Sequence, residues 1–267
     1  MGSNHHQSTI TTNRAIINGV YDNMIIPNKH NEVNRTVKLE EGSHVKGGIY
    51  ARRIDVSSNT TVEGPVFARE GIDFQNAKFQ SEVASSGPII GQNSSFSSGI
   101  TADIINIKNC IIRTNVTARQ AIIKDSIILG LVTGSEKLEM DNTLCHTFKS
   151  GKSDINQVSL LLPHAIIHGK LHLHSPIKCP FIESEKGSII LTKRDIVNRD
   201  GVNYLTISPR VMNLKKVKNN IIRSEKMQEF LYEEVLSELI MSEEKSEFTK
   251  GRILERLKEI IQDLQFD

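Results

Sequence analysis

His44-Val45-Lys46-Gly47-Gly48-Ile49-Tyr50-Ala51 returns one lap later as Thr61-Val62-Glu63-Gly64-Pro65-Val66-Phe67-Ala68. The two phrases match position by position: a large apolar residue, a glycine, a second apolar residue and an alanine. Extended outward, the match becomes a set of columns. Val45, Val62, Phe79, Phe96, Ile112 and Ile128 are large and apolar and follow at steps of 17, 17, 17, 16 and 16. Ile49, Val66, Val83, Ile100, Val116 and Val132 keep those steps. Two columns of small residues run beside them: Gly47, Gly64, Ser81, Ser98, Thr114 and Gly130, and Ala51, Ala68, Ser85, Ala102, Ala118 and Gly134. A fixed internal period decides an architecture before any other feature does.

Within each phrase, apolar and polar residues alternate with period two, so one side chain points inward and the next outward along a strand. A lap of 16 or 17 residues is then one coil of a β-solenoid, three short strands to the coil. Successive coils stack about 4.8 Å apart, which turns each column into a ladder of like residues. Small residues belong at the corners. A third inward row is expected at Val37, Ile54, Ile72, Ile89, Ile105, Ile122 and Leu138, and its uneven steps predict bulges beside it.

Composition agrees. Trp is absent, aromatic residues make up 5 % of the chain and β-branched residues abound, as stacked strands require. A net charge of +2 in 267 residues gives little long-range attraction for nucleic acid or an anionic membrane. Cys110, Cys145 and Cys179 are odd in number and far apart, the pattern of thiols in a reducing compartment. No basic-then-apolar leader opens the sequence and no apolar run approaches the ~20 residues that span a bilayer. A cytoplasmic protein is the expectation, with contact between the N-terminal arm and a membrane left open.

Several solenoid classes do not fit. Hexapeptide acyltransferases repeat an apolar residue every sixth position, but after Leu39, Val45 and Ala51 that register falls on Ser57. Polysaccharide lyases carry long loops on larger coils, and no insertion interrupts 37–136. An ice-binding face would need a flat threonine array, whereas the ladder ending in Thr101, Thr117 and Thr133 begins with Tyr50, Phe67 and Ala84.

The apolar-x-Gly-x-apolar-x-Ala phrases at 44–51 and 61–68, with Ile128-Leu129-Gly130-Leu131-Val132-Thr133-Gly134, resemble the coil of the bactofilin family. The resemblance covers residues 37–136 and extends toward 191. It implies a right-handed, three-sided β-helix that builds polymer-forming cytoskeletal filaments by end-to-end contact, without nucleotide or metal. The chain departs from that family by its long C-terminal extension.

Four regions are expected. Residues 1–36 form a polar N-terminal arm or a cap over the first coil, with apolar patches at Ala15–Val20 and Met24–Ile26. Residues 37–192 form the β-helix, with an insertion near 149–157. Residues 193–223 hold a hairpin turning at Asn198-Arg199-Asp200-Gly201 and a basic connector with Arg210, Lys215, Lys216, Lys218 and Arg223. Residues 224–267 form an α-helical hairpin. Ser224 is its N-cap, and one apolar stripe runs through Met227, Phe230, Leu231, Val235, Leu236 and Leu239, a second through Ile253, Leu254, Leu257, Ile260, Ile261 and Leu264.

Chemistry finds few footholds. Ser150-Gly151-Lys152-Ser153 matches the end of a phosphate-binding loop, but His146 stands where its first glycine belongs. The coil phrase is read again at Ile167-His168-Gly169-Lys170-Leu171, with Leu173 in the small-residue place. His164, His168, His172 and His174 in this region are the densest set of potential metal ligands; as the plainer alternative they form a solvent-facing or capping row. No catalytic, cofactor-binding or metal-binding residue is assigned and no cofactor is expected. The expectation is a non-enzymatic scaffold that self-associates through its β-helix ends or its C-terminal helices. Two alternatives stand beside it: an adaptor that binds a partner protein through those helices, and an enzyme or metal protein with a site at 164–174.

Overall fold

The computed structural model describes residues 8–26, 35–160, 165–175 and 177, together with the backbone strands Leu191–Arg199 and Val202–Pro209. The helical hairpin expected at 224–267, the basic connector at 210–223, Cys179 and His164 lie outside the described residues. Every regular element among the described residues is a β-strand, so the fold is an all-β solenoid. No helix there is long and apolar enough to cross a membrane. The chain divides into two compact units, Met1–Ile123 and Lys124–Asp267.

In the first unit the columns become parallel ladders. Val45 lies beside Val62 and Val62 beside Phe79, while Ile49, Val66, Val83 and Ile100 stack in turn. All of these side chains are buried. Fully burying each such aliphatic group stabilises the fold by roughly 1.5–3 kcal/mol. Phe79 and Phe96 stack face to face, with centroids 4.8 Å apart and planes 9° apart, and Phe74 meets both edge-on. The small column exists because backbones approach there: a Cβ on Gly64 would lie 2.5 Å from the Gly47 carbonyl carbon.

The stack begins earlier than the repeat does. Arg14–Ile17 runs parallel to Thr36–Leu39, with Ala15 beside Val37 and Ile17 beside Leu39. Val20–Tyr21 pairs with His44–Val45, and Ile25 bridges to Ile49. Ala15, Ile17 and Ile25 are buried, so these residues form a lap of their own.

Register shifts fall between Ala51 and Arg53 and between Ser85 and Pro88. They immediately precede Ile54 and Ile89, in the row whose steps are uneven. That row needs one correction: Ile122 is only half-buried, and Ala121 and Ile123 take the inward positions. An apolar triplet hides its own register, because either alternation reads as hydrophobic.

A further corner row is absent from the columns above. Asn59, Asn76, Asn93 and Asn109 all adopt positive φ, between 50° and 59°, following Gly42 at 73°. Asparagine tolerates this left-handed conformation better than most residues. Stacked at each corner, the amides bond one another: Asn76 Nδ2 donates to Asn59 Oδ1 at 2.9 Å and Asn109 Nδ2 to Asn93 Oδ1 at 2.8 Å. The next residue in each lap turns inward. Ser94 Oγ and Cys110 Sγ satisfy themselves on the carbonyls of Gln92 and Lys108.

The second unit repeats these devices. Ile127–Asp141 and Leu144–Asn156 run parallel over eleven paired residues. Asp125, Asn142 and Gln157 have positive φ, and Asn142 Nδ2 donates to Asp125 Oδ1 at 2.9 Å. Ser159–Leu160, Ala165–Ile167 and Leu171–Leu173 lie parallel on Leu144–Asn156.

Two expectations are corrected here. The polar run 149–157 is no insertion, since its residues continue a strand through Asn156. Ser150, Ser153 and Ile155 point inward, Lys149 and Lys152 outward, and the two buried hydroxyls bond each other. Serine in the core disguises the alternation. The phrase at 167–171 also sits in another register. Ala165 pairs with Phe148, Ile167 with Ser150 and Leu171 with Ser153, so Ile167 occupies the small-residue column and Leu173 is exposed.

Candidate functional site

Three places have geometry beyond the regular stack. The first is a groove of about 600 Å³ on the first unit. Outward ladders Asp55, Asp73, Ile90 and Asn106, and Ser57, Gln75, Gln92 and Lys108, form its walls over a floor of Val56, Phe74 and Gly91. Gly91 stands in one column with Val56 and Phe74, and the Phe74 ring occupies the space its side chain would take. Arg53 lies on both carboxylates, with Nε 3.4 Å from Asp55 Oδ1 and an Nη2 contact to Asp73. The two acids therefore share one cation instead of facing each other across a reacting bond, as paired acid–base carboxylates must.

The histidine region is the second. His172 lies beside Asp154 in the parallel register, and His174 Nε2 is 2.7 Å from Asp154 Oδ1. The His168 amide donates to the Ser150 carbonyl at 2.8 Å. His172 and His174 are exposed and His168 is half-buried. Among the described residues no three His, Cys, Asp or Glu side chains come together closely enough to hold a metal ion. The serines of Ser150-Gly151-Lys152-Ser153 are buried within a strand, which removes the loop that a phosphate cradle requires.

Strand termini of the stack are the third. In the first unit Thr9–Ile10 lies antiparallel on Arg14–Ile17, pairing Thr9 with Ile16 and Ile10 with Ala15. In the second, Val202–Pro209 lies antiparallel on Ala165–Ile167, setting Ile207 against Ala165. Leu191–Arg199 then pairs with Val202–Pro209 on its other side, down to Arg199 opposite Val202. Asp200 and Gly201 separate the two strands, a dipeptide suited to a tight two-residue hairpin. A parallel solenoid exposes unpaired N–H and C=O groups on its last lap, and an antiparallel strand laid across them satisfies those groups. Leu191–Arg199 itself, nine residues long, has Val202–Pro209 as its one paired strand among the described residues.

No sequence signal for this arrangement stands out beyond the Asp200-Gly201 turn, because strand capping is a tertiary pairing without a period. Comparison with models of protein families, with curated proteins and with solved structures finds no match.

Proposed function

We propose that this chain is a non-enzymatic structural scaffold of the bactofilin kind that associates with copies of itself through its C-terminal region. The observation that carries the reading is the Leu191–Arg199 edge, at the outer side of the hairpin on Ala165–Ile167. An edge of this length, unpaired among the described residues, is a template for a strand from another chain, since every second backbone amide and carbonyl faces outward. The stacked core supports the same role: like lies over like, and most of the buried side chains are aliphatic or aromatic, a filling suited to stiffness.

Antiparallel strands on the terminal laps also favour small assemblies over an open filament. An open polymer needs a heterologous contact that repeats without closing, and the bare parallel edge that would supply one is covered at Ala165–Ile167. Sedimentation velocity of the full chain over a concentration series tests the reading. Reversible oligomers of a few copies are expected. A monomer across the whole range would overturn self-association, and turnover of any substrate class would overturn the non-enzymatic part.

A further inference from the structure

Four exposed apolar side chains lie together on one face of the first unit: Met24 at 57 % exposure, Ile26 at 41 %, Tyr50 at 37 % and Phe67 at 36 %. Tyr50 pairs with Phe67 in the parallel register, and the Tyr50 amide donates to the Ile25 carbonyl at 2.7 Å. Ile26, Tyr50 and Phe67 are therefore one outward ladder. It ends at Ala84 in the following lap.

Arginines line the corner where that face ends. Arg35 Nη1 donates to the Ile26 carbonyl at 2.9 Å, which holds its guanidinium against the ladder. Arg52 is two residues after Tyr50, and its Nη2 donates to Thr36 Oγ1 while its Nε lies 3.5 Å from Glu70. Arg69, two residues after Phe67, is exposed and has no ion pair among the described residues. Three acids border the same laps: Asp22 pairs with Lys46, Glu63 hydrogen-bonds His44, and Glu70 beside Arg52 leaves the three arginines in excess. The patch is apolar along its middle and positive along one border.

The sequence contains a segment of complementary chemistry. Residues 224–245, outside the described residues, hold seven glutamates against two lysines, with Met227, Leu231, Val235 and Leu239 every fourth position. Residues four apart on a helix recur about 6.0 Å along its axis, against ~4.8 Å between laps of the ladder, a mismatch of only about 2.4 Å over the three rungs Ile26, Tyr50 and Phe67. A helix laid along the stack would set one apolar side chain against each rung, with glutamates beside the arginines.

We propose that segment 224–245 of a second copy docks on the Ile26–Tyr50–Phe67 ladder, its glutamates facing Arg35, Arg52 and Arg69. The inference rests on the self-associating scaffold reading and names a surface that the strand edge does not. The occupant follows from charge and spacing. A nucleic acid would want a broader basic face than one border of three arginines, and a membrane would want a broader apolar face than two side chains to a lap.

The experiment compares association of the full chain by sedimentation velocity in three forms. The first is the natural sequence. The second carries Phe67→Glu and Arg69→Glu, both at exposed positions, with folding checked by circular dichroism. The third carries Glu229→Arg and Glu233→Arg. Each variant should associate at least about ten-fold more weakly than the natural chain, a cost of ~1.4 kcal/mol. An equimolar mixture of the two should regain association, because the reversed tail of one meets the reversed ladder of the other. Unchanged association of the ladder variant would overturn this docking and leave the scaffold reading intact. Weakened variants whose mixture is not restored would overturn the segment as occupant, and a natural chain that is monomeric throughout would sink both readings.

Discussion

The ring of Phe74 fills the space that a side chain at Gly91 would need: a Cβ built on Gly91 would sit 2.5 Å from Phe74 Cε2. The two residues are neighbours in one ladder, Gly91 paired with Phe74 across adjacent laps. Phe74 thus leans into the following lap and reaches the Phe79 and Phe96 rings, 5.7 Å and 5.3 Å away between centroids.

Gly91→Ala should therefore destabilise the protein by about 1–3 kcal/mol, the usual cost of overpacking. Phe74→Leu in the same chain should recover part of that loss, since it clears the ring but not the Phe74 carbonyl, which also crowds the new Cβ. Urea melts of the two single variants and the double variant measure the coupling. Simple additivity of the two costs would mean that the ring is not what closes the site.

The apolar ladders were legible in the sequence because aliphatic residues at a fixed step have no other economical explanation. Val45 with Val62, and Ile49 with Val66, needed no structure to be paired. Ile122 lies in an apolar triplet that hides its register, and 149–157 reads as an insertion because Ser150 and Ser153 satisfy each other in the core. The asparagine row at 59, 76, 93 and 109 keeps as regular a step as any apolar column. It escapes a search built on hydrophobicity, since its residues are selected by backbone conformation. The strands on the terminal laps, and the meeting of Arg35 with Ile26, depend on chain segments without a repeat and could be found only in the folded molecule.

The corner asparagines separate backbone from side-chain effects. Asn93 has φ 55° and accepts a bond from Asn109 Nδ2 at 2.8 Å. Asn93→Ala loses both the left-handed preference, about 1–2 kcal/mol, and a hydrogen bond with a net contribution of about 0.5–1.5 kcal/mol. Asn93→Gly restores the conformation alone. Thermal melts should rank the natural chain first, the glycine variant second and the alanine variant last. A glycine variant no better than alanine would show that the turn conformation contributes little.

Cys110 carries a pH signature. Burial pushes its thiol up to about 12, although the Ser94 and Lys108 backbone contacts act in the opposite direction. An unfolded cysteine ionises near 9.0, so between these two values the folded chain holds a proton that the unfolded chain releases. The contribution is intact below pH 9 and falls as pH rises from 9 toward 12. Cys110→Ala should flatten that alkaline decline in denaturant melts. The native thiol should also resist a disulfide reagent at pH 8 and react once the protein is unfolded, because the thiolate is the nucleophile. Rapid labelling of Cys110 in the folded chain would place it at the surface.

Removal of residues 191–267 takes away the strands Leu191–Arg199 and Val202–Pro209 and bares the parallel edge at Ala165–Ile167. Three residues whose backbone groups were paired then face solvent, and edge pairing with a second chain becomes the nearest way to satisfy them. A contact between this edge and a different edge of the next copy repeats without closing. The shortened chain should therefore form filaments or amorphous aggregates under conditions where the full chain stays in small oligomers, with electron microscopy as the readout. Filaments from the full chain and none from the shortened one would mean that the hairpin joins copies instead of shielding a lap.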